Sequence, residues 1–368
     1  MYETFNIQSS SGSYSVEIGV GQLTSKDLVS IHEFVVMDLN VSRLWPQLNE
    51  QVGCSMPVLA IEENKTLSTC AELIEGLRAQ GANRSSSFCA FGGGIIQDLA
   101  TFTASVYMRG IQWTYAPTTL LGMVDSCIGG KSSINVGPYK NIAGNYHPPK
   151  KIVIDINFCK TLDLPELLAG LCEAVKICFA AEGDQFKKYL NLFSDQGSFL
   201  GSEQLFSVIS LSLATKKQFI ETDEFDLGPR LLLNFGHTFG HAIEAATNFK
   251  ITHGIAVGMG MLAEIKLATL TGIATGESER VSNLRRHIAY LLGQIPDMTR
   301  NIETLDIESA IRAFKSDKKH RKDAYAVIMP NSLGFLQREF LPNSLETDAK
   351  VLGVFEWLKS DLYLEGIE

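Results

Sequence analysis

Two histidines stand four residues apart in Asn234-Phe235-Gly236-His237-Thr238-Phe239-Gly240-His241-Ala242-Ile243-Glu244, with His253-Gly254 following and Glu173-Ala174-Val175-Lys176 upstream. On a helix that spacing puts both imidazoles on one face. Glu173 and His253, arriving from other elements, could complete a three-ligand catalytic metal site that keeps one position open for substrate. The spacing leaves His237 and His241 equally available as ligands and permits Glu173 without requiring it. A helix carrying Gly236 and Gly240 gives up roughly 1 kcal/mol per glycine relative to alanine. A ligand or metal packed against it is the reading preferred here, although close contact with another helix would use glycine too. The pattern is not His-Glu-x-x-His, which argues against a zincin peptidase.

A second chemistry is suggested by Gly92-Gly93-Gly94-Ile95-Ile96-Gln97-Asp98, which follows an apolar run and opens a helix-like segment. Consecutive glycines let a pyrophosphate approach the backbone, and the helix N-terminus offers amide donors. The spacing is not G-x-G-x-x-G, so a tight structural turn is the competing reading. Asp125 to Asn135 and then Lys140-Asn141 form a stretch dense in glycine, hydroxyls and cations that suits a phosphate, with a solvated loop as the alternative. Lys176, three residues beyond Glu173, could be an intrahelical ion pair. Arg230 enters the apolar run Leu231-Leu232-Leu233, where a guanidinium is costly to bury and an anionic ligand would offset the cost. For Lys216 and Lys318 a solvated helix face fits as well as a binding role.

The elements that must position these residues divide the chain in two. Short β-branched runs at Phe34 to Asp38, Pro57 to Glu62, Phe88 to Phe91, Ile111 to Pro117 and Lys151 to Ile156, with helical spacing over Leu67 to Gln80, predict strand-helix-strand units and a mostly parallel sheet. Beyond them come long amphipathic stretches: Leu162 to Ala181, Glu203 to Thr222, Gly254 to Leu270 and Glu279 to Leu292. The expected organisation is therefore an α/β domain over 1–160, of a kind that commonly binds nucleotides, and a mainly helical domain over 161–368.

Composition narrows the partners. A net charge of -9 argues against nucleic acid, which draws on clustered Lys and Arg. Seven cysteines without a CxxC pair suit reduced buried thiols and a cytoplasmic protein. No apolar stretch is expected to reach the roughly 18 residues needed to cross a bilayer, so no membrane partner is expected.

Together these segments, with Tyr107-Met108-Arg109-Gly110 and Pro117-Thr118-Thr119-Leu120-Leu121, resemble 3-dehydroquinate synthase, an NAD- and divalent-metal-dependent sugar-phosphate cyclase family of the shikimate pathway. The resemblance runs from about Asp38 to beyond Lys319. It implies that Glu173, His237 and His253 hold the metal, zinc or cobalt, which assigns His241 to substrate. It implies substrate-site roles for Asp125, Lys131, Asn141, Lys176, Lys216, Asp226, Arg230, Asn234, His241 and Lys318. Arg109 matches an arginine that the family contributes across a homodimer interface. For NAD the matching positions are Asp38, Asn40, Glu62, Lys65, Gly93, Gly94, Ile95, Asp98, Thr118, Thr119, Lys140 and Thr161. The implied first domain binds NAD and the second binds metal and substrate. The implied substrate is 3-deoxy-D-arabino-heptulosonate 7-phosphate, converted to 3-dehydroquinate and phosphate.

The chain departs from the family pattern at five places. Gln97 replaces glycine, Lys131-Ser132-Ser133 replaces Lys-Thr-Gly, Asp226 replaces glutamate, Pro229 replaces leucine, and Ile255 replaces the glutamate after His-Gly. Rival readings are a cyclase making an aminodehydroquinate, an inosose or a valiolone-like ring, a metal- and NAD-dependent polyol dehydrogenase, and a silent binding protein.

Overall fold

The computed structural model describes residues 1–21, 34–49, 54–137, 139–193 and 200–360. Its strands are Tyr2–Ser9 (β1), Gly12–Gly19 (β2), Phe34–Asp38 (β3), Ser55–Val58 (β4), Ser87–Gly92 (β5), Gln112–Pro117 (β6), Ile134–Val136 (β7), Tyr139–Ala143 (β8), Lys151–Asp155 (β9), Ala324–Pro330 (β10) and Leu336–Pro342 (β11). The longer helices are Leu67–Ala79 (α1), Gly94–Val106 (α2), Leu164–Ala180 (α3), Gln185–Asn191 (α4), Ser202–Thr222 (α5), His237–Ala246 (α6), His253–Thr271 (α7), Glu279–Gly293 (α8), Ile307–Lys315 (α9) and Leu345–Ser360 (α10).

The chain forms two compact units. The first holds a seven-stranded sheet in the order β1-β2-β9-β6-β5-β3-β4, in which only β1 and β2 pair antiparallel. The central strands are buried along almost their whole length, with Phe88, Cys89, Ala90 and Phe91 all inaccessible. Strands covered on both faces need apolar residues at every position, and the sequence therefore shows them as uninterrupted runs. β7 and β8 make a separate hairpin beside α1 and α2.

The first unit comprises the chain up to Asp163 and also α5, which the single boundary expected near residue 160 assigns to the other domain. Side chains of α5 bond distant backbone: Ser212 Oγ donates to the Val124 carbonyl at 2.9 Å, and Lys216 Nζ to the Asp125 carbonyl at 2.6 Å. Both acceptors lie in or beside the π-helical turn Gly122–Ser126. Buried polar groups need partners, and α5 finds them in the sheet unit.

The second unit is helical, with the hairpin β10-β11 as its only sheet among the described residues. Its centre is the 19-residue α7, in which an 18-residue window reaches a mean hydropathy of 1.3, long and apolar enough to span a membrane, contrary to the expectation from the sequence. In that window 78% is buried inside the fold. A helix surrounded by protein is apolar on every side, and Gly254, Gly258 and Gly260 let α3, α8 and α6 come against its backbone or side chains.

Candidate metal and cofactor sites

In the second unit, α3 supplies Glu173 and Lys176, α6 supplies His237 and His241, and His253 is the first residue of α7. One ligand atom each from Glu173, His237 and His253 lies within 4.8 Å of the others, and so do atoms of His241, Glu244 and His253. Glu173 Oε1 is 3.4 Å from His253 Nε2 and 3.9 Å from His237 Nε2. Both imidazoles are held from behind: His237 Nδ1 lies 3.3 Å from the Phe235 carbonyl and His253 Nδ1 lies 3.0 Å from Glu244 Oε2. A ring that donates through Nδ1 presents Nε2 as a lone pair. The donor set is one carboxylate oxygen and two such nitrogens, as in catalytic zinc sites of the two-histidine, one-carboxylate kind.

The electrostatics of Glu173 and His237 fit the same use. Glu173 is 1% exposed and is matched by the Lys176 ammonium, itself 2% exposed, and a buried carboxylate demands such a cation. Burial, then the charges of Lys176 and His253, hold His237 well below the usual histidine range and so in the neutral form that metals require. Burial opposes charge on His253, but Glu244, by charge and hydrogen bond, and then Glu173 lift it to about 9, so a metal binding there displaces a proton from the ring. His241 is exposed at the surface of α6, and its pKa is lowered by local desolvation and then by the charges of Lys319 and His253.

Gly236 and Gly240 make room for a helix. A Cβ at Gly236 would stand 2.9 Å from the Met261 nitrogen, and one at Gly240 3.1 Å from the Ala256 carbonyl, both on α7. The preferred expectation of a ligand packed there gives way to helix-helix contact.

In the first unit, β5 runs into Gly92 and Gly93, and α2 starts at Gly94 without any side-chain cap. A Cβ at Gly93 would meet Thr119 Cγ2 at 2.9 Å, while the space over Gly94 is open. The uncapped N–H groups of a long helix beside open space can receive an anion. Thr118 N–H donates to the Gly92 carbonyl at 3.0 Å, and Thr119 Oγ1 accepts from Gly122 N–H at 3.1 Å. Lys65 Nζ reaches Asp98 at 3.2 Å and Asn141 Oδ1 at 2.8 Å, and Glu62 pairs with Lys65 at 3.6 Å and Lys140 at 3.5 Å. Burial raises Asp98 to about 6 against the pull of Lys65. These residues therefore form one charged network next to the glycine turn.

The other residues expected at the cofactor and substrate sites are more dispersed. Asp38 ends β3 and accepts from Asn40 N–H at 3.0 Å, and Thr161 Oγ1 accepts from Trp45 Nε1 at 3.2 Å. Asp125 is paired with buried Lys216, so the solvated-face reading of Lys216 does not hold. Lys131 bridges to Tyr146. Arg109 is exposed in the left-handed region (φ 70°). In the second unit Arg230 is 3% exposed, Asn234 Nδ2 donates to the Leu231 carbonyl at 3.0 Å, and Asp226 has φ 62°.

Comparison with known proteins settles the kinship. The family model described as 3-dehydroquinate synthase N-terminal matches residues 55–169, and the one described as 3-dehydroquinate synthase C-terminal matches residues 170–320. The chain belongs to the 3-dehydroquinate synthase family. A curated 3-dehydroquinate synthase from Thermoanaerobacter sp. (strain X514) is 36% identical over 324 residues, covering 86% of this chain and 88% of that protein. One from Saccharolobus solfataricus is 32% identical, covering 89% and 92%. Among solved structures, 2-deoxy-scyllo-inosose synthase complexed with carbaglucose-6-phosphate, NAD+ and Co2+ superposes with a TM-score of 0.80 at 24% identity, covering 96% of this chain and 99% of that one. ValA, a 2-epi-5-epi-valiolone synthase from Streptomyces hygroscopicus subsp. jinggangensis 5008 with NAD+ and Zn2+ bound, superposes with a TM-score of 0.76 at 25% identity, covering 93% and 97%.

Two residues bear on the family pattern in ways the sequence did not disclose. Gln97, in place of the family's glycine, exchanges two hydrogen bonds with Ser126, Nε2 donating to the Ser126 carbonyl at 2.8 Å and Oε1 accepting from Ser126 Oγ at 2.6 Å. Lys319 shares a small pocket with Asn234, Thr238 and Arg338, and its charge bears on both His237 and His241. Exposed Lys318 influences His241 more weakly. The signal for Lys319 was present in the Asp317-Lys318-Lys319 run, but adjacent lysines cannot be told apart without the turn that orients them.

Proposed function

We propose that the protein is a phosphate lyase and cyclase that converts 3-deoxy-D-arabino-heptulosonate 7-phosphate into 3-dehydroquinate and phosphate, using NAD and one divalent metal, zinc or cobalt. The observation that carries this reading is the family match across residues 55–320. The neighbours solved with NAD+ and Co2+ or Zn2+ support the cofactors.

Glu173, His237 and His253 hold the metal. The network of Glu62, Lys65, Asp98 and Lys140, with Gly93, Gly94, Ile95, Thr118, Thr119, Asp38, Asn40 and Thr161, holds NAD. When bound, NAD takes up and returns one hydride while the metal acts as a Lewis acid on the substrate's hydroxyl oxygens. Arg230, a planar fork on a rigid turn, suits the carboxylate. Lys131, Asn141, Asn234, His241, one lysine of the adjacent Lys318-Lys319 pair and Arg109 from a second copy of the chain bind the phosphate, and Asp125, Lys176, Lys216 and Asp226 complete the polar groups that orient the sugar. The protein works as a homodimer in the cytoplasm. The seven free cysteines, six of them buried, support a reducing compartment.

The test incubates pure protein with NAD, Zn2+ or Co2+ and candidate sugar phosphates, following phosphate, carbocycle and NADH. Phosphate release from the heptulosonate without net NADH is expected. Net NADH accumulation would instead mark a dehydrogenase, and turnover of glucose 6-phosphate alone an inosose-forming cyclase.

A further inference from the structure

Helix α6 begins without a cap of its own. Gly236 precedes it in the left-handed region (φ 81°), and no side chain of its own first turn bonds the exposed N–H groups. The missing acceptor comes from α7. Glu264 Oε2 accepts at 2.6 Å from the N–H of Gly236, the residue that opens α6. Glu264 is fully buried, and its Oε1 has no hydrogen-bond partner among the described residues.

Its position on α7 explains the reach. Glu264 follows His253 by eleven residues, about three helical turns, so the two share one stripe of the helix. On the same side Gly260 presses against Gly236 and Gly240, where any Cβ would collide with the Gly236 carbonyl. The N–H group that Glu264 holds belongs to Gly236, immediately before His237, and the helix Glu264 projects from begins with His253. One carboxylate thereby ties together the two elements that each deliver an imidazole to Glu173. A buried apolar side chain would fill this space without the cost of desolvating a carboxylate, so packing alone does not call for glutamate here.

We propose that Glu264 is a positioning residue for the metal centre: by capping α6 from α7 it fixes His237 relative to His253 and so sets the affinity of the Glu173-His237-His253 site for a divalent cation. This rests on the metal assignment above.

The test compares Glu264→Gln, which keeps a carbonyl acceptor, with Glu264→Leu, which keeps volume and loses the acceptor. Co2+ affinity is read by chelator competition and ligand geometry by the visible absorption of bound Co2+, with circular dichroism reporting the fold. Glu264→Gln should bind within about 3-fold of the parent, and Glu264→Leu should lose about 10- to 100-fold with an altered spectrum, the range seen when outer partners of metal ligands are removed. A folded Glu264→Leu protein with parental affinity and spectrum overturns the proposal, as does a Gln variant as impaired as the Leu variant. Should Glu264→Leu fail to fold, Glu264→Asp decides, because its shorter arm should weaken Co2+ relative to Gln, and parental affinity in Asp overturns the idea. His237→Ala separates the two levels: if it and the parent bind Co2+ equally poorly, the metal assignment itself fails.

Discussion

Glu244 Oε2 lies 3.0 Å from His253 Nδ1. The contact runs across the loop joining α6 to α7, nine residues apart in sequence, and leaves Nε2 as the nitrogen directed at Glu173. A carboxylate behind a histidine ligand fixes its tautomer and raises its basicity.

Glu244→Ala should therefore weaken Zn2+ or Co2+ binding by about 10- to 100-fold while leaving helix content unchanged, and Glu244→Gln, which retains an acceptor, should lose less. Chelator competition on the purified variants measures this. Parental affinity in Glu244→Ala would show that the pair is incidental, and total loss of binding would move the metal to the neighbouring group of His241, Glu244 and His253.

His287 on α8 gives a pH prediction away from the metal. It is 8% exposed, its Nε2 lies 3.2 Å from the Tyr189 hydroxyl, and burial pushes it down to about 4. Because the folded value lies below the unfolded value of 6.5, its contribution is fully present above pH 6.5 and is lost as pH falls through about 4. The loss from this ring approaches roughly 3 kcal/mol at the acid end. Urea midpoints of the parent should fall from pH 7.5 to pH 4.5 more steeply than those of His287→Gln. Parallel pH slopes would remove His287 from the acid response.

Much of the fold was legible because burial leaves a mark on sequence. Phe34–Asp38 and the core of Ser87–Gly92 read as strands since both their faces are covered, and α3, α5, α7 and α8 read to within two residues of their ends. The hairpin β1-β2 left no comparable run, because most of β1 is exposed or half-buried and polar residues fill those positions. Equally hidden was the return of α5 to the sheet unit, which depends on bonds from Ser212 and Lys216 to carbonyls about ninety residues away. Spacing named the histidines but could not show which of them face Glu173. That required the distances to its carboxylate and the partners behind the His237 and His253 rings, Phe235 and Glu244.

Gln97 tests a departure from the family pattern. Its two bonds to Ser126 tie the first turn of α2 to the turn that carries Asp125, and both groups are largely sheltered. Gln97→Ala would strip a partner from the Ser126 carbonyl and hydroxyl together, a cost of about 1–3 kcal/mol. A double-mutant cycle with Ser126→Ala, read by denaturant unfolding, should show a coupling of about 1 kcal/mol or more. Additive single effects would mean that the pair is not coupled and that the glutamine is tolerated only for its volume.

The lysine doublet can be separated by kinetics. Lys319 is half-buried, sits 3.0 Å from Asp317 Oδ2 and lines the pocket with Asn234, whereas Lys318 points to solvent. A cation that is already desolvated and held by a carboxylate loses little freedom on meeting a phosphate, and its charge is less screened than that of an exposed side chain. If phosphate is bound from this turn, Lys319→Met should raise KM for the sugar phosphate by about 10-fold or more, on the scale of one charge-assisted hydrogen bond. Lys318→Met should change it by less than about 3-fold. Steady-state phosphate release measures both, and the reverse order would return the role to Lys318, where the family resemblance alone had put it.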